Sequence, residues 1–230
     1  MPRDAAIRRL LGSPDWSIRV VEANGDCFYA AVAHARGDGE TTARSLRDAV
    51  ADALDEDARD ALLAARLAGL DEFAYHARAK SFRRGDFRAR TVEERVVSPS
   101  SARRRYVDDC EDLDALKARL RRPGGAPQCV WADDYAVRTV ATREALGVLI
   151  IDEAARAAGR FVSVLPETFA RVVVLQRTRR QHYNLLSRAG AATFSRDDDA
   201  LAAKWPALRR AADDADDAPP AKRAKRTGPR

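Results

Sequence analysis

Four short apolar runs lie close together in the last third of the sequence, and they constrain the fold more than any other feature. Each has the length of a single β-strand, and they cover residues 148–151, 161–165, 171–175 and 182–186. A fifth strand candidate, residues 17–21, lies near the N-terminus. The longest purely apolar run, residues 145–151, is far shorter than the ~20 residues that span a bilayer. The pattern therefore predicts a sheet assembled mainly from the C-terminal third, and no membrane-spanning segment.

Helical patterns occupy much of the sequence before these strands. The clearest is residues 27–35, an apolar, alanine-rich run that ends before Gly37. A second helix is expected to be capped by Thr41 or Thr42. Further helices are predicted over residues 5–11, 56–70, 108–122 and 133–146. The order of elements predicts an α/β fold in which helices flank a small central β-sheet.

The composition fits one folded domain followed by a charged tail. Hydrophobic residues make up 46% of the 230 residues and charged residues 33%, which excludes a wholly disordered chain, a collagen and a membrane protein. From about residue 195 the sequence becomes rich in Asp and Ala and contains proline. We therefore predict a domain over residues 1–195 and a disordered tail over residues 196–230, in which one short helix around Trp205 is the only element considered.

The cysteines and histidines show no spacing typical of a metal site or a disulfide framework. The three cysteines, Cys27, Cys110 and Cys129, form no CxxC pair, and the three histidines form no HxxxH pair. The N-terminal residues lack the pattern of a signal peptide. We expect an intracellular protein, in the cytoplasm or the nucleus, that has free thiols and needs no cofactor or metal.

The positive charge is concentrated in two segments. The net charge is +6, and five of these charges are accounted for by the last nine residues, through Lys222, Arg223, Lys225, Arg226 and Arg230. This tail fits a basic nuclear-localisation peptide read by an import receptor, or a solubilising tail. Residues 78–105 form a second basic stretch, which we expect to be a solvated loop. The alternative is that it contacts nucleic acid or an acidic partner. It carries no recognisable nucleic-acid-binding motif, so we do not expect a nucleic-acid partner.

The turn before the first apolar helix, Asn24-Gly-Asp-Cys27, has the chemistry of a nucleophile site. A cysteine in the first turn of a helix lies at the positive end of the macrodipole, which favours the thiolate. Gly25 lets the turn direct successive backbone N–H groups at one point, as an oxyanion hole requires. The alternative is that Cys27 is a small buried residue at a helix start.

A second motif, Gln181-His-Tyr-Asn184, supplies a matching base. In an extended segment side chains repeat every two residues, so His182 and Asn184 point to one face. Asn184 can then hydrogen-bond one imidazole nitrogen and leave the other for a thiol. A Cys-His-Asn set is a known arrangement for acyl transfer, although a histidine can also stand beside a strand by chance.

Together these segments resemble the OTU (ovarian tumour) family of cysteine deubiquitinases. The turn at Cys27 is similar to the family's cysteine motif and His182-Tyr-Asn184 to its histidine motif. The block of residues 131–137 with the following strand is similar to a third conserved block, in which Trp131 is expected to be a packing anchor. The resemblance covers about residues 5–190 and implies a papain-like fold.

The resemblance also implies an activity and roles for the residues. It implies hydrolysis of bonds at the C-terminus of ubiquitin or a ubiquitin-like modifier, with Cys27 as nucleophile, His182 as general base and acid, and Asn184 orienting His182. Asn24, Gly25 and Asp26 would form the oxyanion turn, with backbone N–H groups of Gly25, Asp26 and Cys27 as donors. The family usually has aspartate where this chain has Asn24, and that asparagine can either donate to the oxyanion or brace the turn. Two alternatives remain: an inactive OTU fold that binds ubiquitin, and a basic nuclear protein that binds nucleic acid.

Overall fold

The structure is a computed structural model, and it describes residues 3–62, 112–126, 129–152, 160–178 and 182–208. Six helices within these ranges have defined bounds: α1 Arg3–Leu11, α2 Cys27–Arg36, α3 Ala43–Ala53, α4 Leu113–Leu120, α5 Asp134–Arg143 and α6 Asp199–Ala202. Residues 56–62 are also helical. The strands are β1 Trp16–Arg19, β2 Leu146–Asp152, β3 Arg160–Val164, β4 Arg171–Arg177, β5 Tyr183–Arg188 and β6 Thr193–Ser195. None of the helices described here is both long and apolar enough to cross a membrane.

The strands form one six-stranded sheet in the order β1-β5-β4-β2-β3, with β6 paired to β4. β2 and β4 are parallel, and every other pairing is antiparallel. In this arrangement β5 lies between β1 and β4, so His182, which immediately precedes β5, lies at the end of an inner strand. The predicted class, an α/β fold with a small central sheet flanked by helices, is confirmed.

Side chains alternate between two hydrophobic clusters along the central strands. On β2, Val148 and Ile150 belong to one cluster, while Leu149 and Ile151 belong to the other. Because successive side chains of a strand point to opposite faces, the two clusters lie on opposite faces of the sheet. The first cluster includes buried residues of α2, α3, α4 and α5, and the second includes buried residues of α1, β6 and α6.

The ends of the helices follow from local sequence. The Thr42 side chain accepts a hydrogen bond from the Ser45 N–H, and the Ser45 hydroxyl accepts one from the Thr42 N–H, so the two form a capping box at the start of α3. Asp133 caps α5 through its bond from the Ala136 N–H. At the other end of α2, Gly37 takes a left-handed φ of 60°, which favours glycine.

The predicted domain boundary at residue 195 is wrong. Residues 199–202 form α6, and Leu201, Trp205 and Leu208 are buried in the second cluster. Trp205 Nε1 also donates a hydrogen bond to Val162 O at 3.0 Å. The Asp-rich composition of this segment concealed an apolar face, so the folded part extends at least to residue 208. The rest of the predicted tail, with its basic cluster, and the basic stretch 78–105 lie outside the described residues.

Candidate active site

Cys27 is the first residue of α2, and packing of this helix on β5 brings it close to the histidine motif. The Phe28 and Tyr183 rings meet edge to face with centroids 5.4 Å apart. The backbone N–H of Tyr183 donates to Cys27 Sγ at 3.5 Å, and Cys27 is only 2% exposed. The thiol therefore lies beside the residue that follows His182, although the two motifs are far apart in the sequence.

His182 is held by a hydrogen bond from its Nε2 to Asn184 Oδ1, at 2.9 Å. The same Oδ1 accepts a bond from the Val21 N–H at 3.2 Å, and Asn184 Nδ2 donates to Gln176 Oε1 at 3.0 Å. A backbone N–H can only donate, so the amide oxygen of Asn184 must face both Val21 and His182. An oxygen can only accept from the ring, and His182 Nε2 therefore carries a proton.

The other ring nitrogen, Nδ1, is the free base of this pair. It is shielded from solvent and has no hydrogen-bond partner among the described residues. With the proton of neutral imidazole on Nε2, Nδ1 has a lone pair available to accept a proton. A shielded acceptor without a partner costs stability, so its presence beside a cysteine motif suggests a functional requirement.

The environment of Cys27 favours the neutral thiol. Burial raises the pKa of the Cys27 thiol above its ordinary value, and the negative charge of Asp26 raises it further. Backbone N–H groups of Tyr183, Phe28 and Cys27 itself act in the opposite direction but do not outweigh burial. The thiolate expected from the helix N-terminus is therefore not the resting state, and the thiol needs a base to remove its proton.

The turn at residues 24–26 is braced from within. Asn24 Oδ1 accepts a hydrogen bond from the Asp26 N–H at 3.0 Å, so this N–H is already engaged. Gly25 has a φ of 95°, and a Cβ at this position would lie 2.9 Å from Cys129 Sγ. Both the backbone angle and the close approach of Cys129 therefore require glycine at position 25. Asn24 was expected either to donate to the oxyanion or to brace the turn, and its hydrogen bond from Asp26 is a bracing contact.

The same turn is also held from outside. The Gly124 N–H donates to Asp26 Oδ2 at 2.8 Å, and the Gly125 N–H donates to Asn24 O at 2.5 Å. Arg47 on α3 forms an ion pair with Asp26 and donates from Nη2 to Gly25 O at 2.7 Å. The sequence interpretation missed Arg47 because arginine is read as a surface residue. Its spacing from Val50 and Ala51, both buried, is the signal that could have found it.

Trp131 and Cys129, also singled out in the sequence, both lie against the turn before Cys27. Trp131 is 37% exposed, and its indole lies beside Gly25. Cys129 is a partly buried free cysteine whose Sγ lies 3.9 Å from Asn24 O. No group of three metal-ligating side chains occurs in the described part of the chain. Cys110 lies outside that part.

Comparison with known proteins finds similarity among solved structures. No family model and no curated protein matches the chain. An OTU domain in complex with ubiquitin is 12% identical, with 85% of this chain and 84% of that chain covered and a TM-score of 0.41. The OTU domain of OTUD1 is 12% identical, over 80% and 93% of the two chains, with a TM-score of 0.44. An OTU deubiquitinase from Wolbachia pipientis wMel is 13% identical, over 83% and 97%, with a TM-score of 0.40. All three are OTU domains. They belong to the family that the cysteine and histidine motifs resemble.

Proposed function

We propose that this chain is a cysteine-dependent deubiquitinase that hydrolyses isopeptide or peptide bonds at the C-terminus of ubiquitin or a ubiquitin-like modifier. The observation that carries the proposal is the free Nδ1 of His182. Asn184 sets the tautomer of this histidine, and the next residue, Tyr183, donates a hydrogen bond to the Cys27 thiol. A thiol-imidazole nucleophile needs a ring nitrogen with a free lone pair near the thiol, and the hydrogen bond from Tyr183 to Cys27 Sγ holds the two motifs beside each other. The choice of ubiquitin as substrate is supported by the resemblance of both motifs to the OTU family.

In this proposal the neutral thiol of Cys27 loses its proton to His182 Nδ1 as the sulfur attacks the carbonyl carbon of the scissile bond. The backbone N–H of Cys27, at the start of α2, donates to the oxyanion that forms, a contact worth about 3 kcal/mol where it has been measured. His182 then protonates the leaving lysine amine. Water, activated by the same nitrogen, hydrolyses the thioester and regenerates the thiol.

Asn184 keeps the imidazole in the productive tautomer throughout this cycle. Because its Oδ1 also accepts from the Val21 N–H and its Nδ2 donates to Gln176, the amide cannot rotate without breaking two other hydrogen bonds. Asn184 is fully buried, so those bonds are protected from competing water. Gln176 therefore acts through Asn184 as a positioning residue for His182.

The proposal is tested with ubiquitin that carries an electrophile at its C-terminus. The wild-type protein should be labelled covalently at Cys27, and Cys27→Ala should remain unlabelled but still bind ubiquitin. Cys129→Ala is the matched control, because this second free thiol lies beside the same turn and should leave labelling unchanged. An inactive ubiquitin-binding fold would bind the probe without a covalent adduct. Labelling that persists in Cys27→Ala would overturn the assignment of the nucleophile.

A further inference from the structure

Arg47 is a buried charge in the middle of α3. Its side chain is 1% exposed, and burying a guanidinium is costly unless its donors are matched. All three of its nitrogens donate: Nε to Asp26 Oδ1, Nη2 to Gly25 O at 2.7 Å, and Nη1 to Leu120 O at 3.0 Å and Val130 O at 2.9 Å. This fork is matched by acceptors from three separate segments.

Two of these acceptors belong to the turn that precedes the nucleophile. Gly25 and Asp26 are the two residues before Cys27, and each is bound by a different nitrogen of the guanidinium. The other two acceptors lie at the end of α4 and just before α5. Arg47 thus fixes the turn relative to the helices that flank it. A planar fork with several donors does this in a way that a lysine ammonium cannot.

We propose that Arg47 is a positioning residue for the nucleophile, which holds the turn before Cys27 in place and neutralises the Asp26 carboxylate beside the thiol. Testing this role by turnover of a ubiquitin substrate rests on the proposed function, whereas testing it by the reactivity of the Cys27 thiol does not. Gly124 and Gly125 hold the same turn through backbone N–H groups, so Arg47 supplies the one side-chain cation among these contacts.

The electrostatic part of the role follows from the groups around the sulfur. Asp26 lies in the turn and Tyr29 is the third residue of α2, while His182 immediately precedes β5 and Tyr183 is its first residue. Burial is the largest effect that raises the pKa of Cys27, and the charge of Asp26 adds to it. Without Arg47 this carboxylate would have no cationic partner on α3, and the thiolate would become less favourable.

The experiment measures the rate at which iodoacetamide alkylates Cys27 as a function of pH, with the adduct located by mass spectrometry. This assay needs no ubiquitin, so it remains informative if the proposed substrate is wrong. Arg47→Met, Asp26→Asn and the double variant form a cycle. Arg44→Met is the matched control, because Arg44 lies on the same helix with its side chain 88% exposed.

We expect Arg47→Met to raise the midpoint of the alkylation profile by about one pH unit. In the double variant the midpoint should return to that of Asp26→Asn, because no unpaired carboxylate remains. Arg44→Met should match the wild type. A purely structural role would lower the melting temperature of Arg47→Met and leave the alkylation midpoint unchanged, and that result would overturn the proposal.

Arg47→Lys covers the case in which the methionine variant does not fold. It keeps the cation near Asp26 but loses the fork, so the alkylation midpoint should stay close to wild type. Turnover of a ubiquitin substrate should fall about a hundredfold through kcat with little change in KM, since a displaced turn misplaces the nucleophile. Wild-type kcat in Arg47→Lys would overturn the positioning role. If the wild-type protein hydrolyses no ubiquitin substrate, the proposed function fails while the alkylation cycle still decides on Arg47.

Discussion

At the scale of single residues, Asn24 shows how one side-chain atom can determine a role. Its Oδ1 accepts from the Asp26 N–H, and an aspartate can accept in the same way. We therefore expect Asn24→Asp to keep turnover close to wild type, whereas Asn24→Ala should lower kcat about tenfold because the turn loses its internal brace. Steady-state hydrolysis of a ubiquitin substrate measures both. A large loss in Asn24→Asp would instead indicate that the amide donates to the oxyanion.

The sequence predicts the candidate site residues whose chemistry is local. Cys27 could be recognised from its turn, and the pairing of His182 with Asn184 from a spacing of two residues. Gln176 and Arg47 could not be recognised in this way. The contact of Gln176 with Asn184 depends on the register of β4 and β5, and the contacts of Arg47 depend on segments that are distant in the sequence. A buried arginine is identified by the acceptors around it, and these come from three segments that meet only in the fold.

At the scale of elements, the helix predicted to continue to residue 146 ends at Arg143 instead. Ala145 adopts a φ of 45°, and β2 begins at Leu146. Gly147 follows the predicted end of the helix, where a glycine is typical, but it lies in the strand. A Cβ at this position would lie 2.8 Å from Val172 Cγ1 on the neighbouring strand, so close packing is the reason for this glycine. Local patterns locate the strand core but do not distinguish a turn glycine from a packing glycine.

The connection between α4 and α5 yields a prediction about Gly124. A Cβ there would lie 2.7 Å from Asn24 Oδ1 and 2.7 Å from Asp26 Cγ. Gly124→Ala should therefore displace the turn and lower kcat about ten- to a hundredfold. Gly190→Ala is the control, because Gly190 has a φ of 84° with nothing near its Cβ position. That variant should lose about 1 kcal/mol of stability and keep its kcat. Equal kcat in the two variants would contradict the steric argument.

At the scale of the whole molecule, the sheet separates two hydrophobic clusters that have different consequences for the site. The first contains Cys27 and Tyr183, and the second contains Trp16 and Trp205. The sequence predicted five strands of this sheet but not β6, and it did not predict which segments cover the second face. That face is closed by residues after 195, whose charged composition indicated a tail. The assignment of these residues to the core depends on a few apolar side chains that only the fold brings together.

Leu149 and Ile150 allow the two faces to be compared directly. They are adjacent on β2 and isomeric, and both are buried, yet Leu149 lies in the second cluster and Ile150 in the first. Each alanine variant should lower the free energy of unfolding by about 2–5 kcal/mol, as measured by urea titration. The kcat of the two variants should differ when it is measured well below both melting temperatures. The concentration of active sites is determined by labelling with the electrophilic ubiquitin probe. Leu149→Ala should keep the wild-type kcat, because the sheet lies between its cavity and Cys27. Ile150→Ala should lower kcat, because its cavity opens in the cluster that supports α2 and β5. An equal fall in kcat in both variants would mean that the sheet transmits the disturbance from one face to the other.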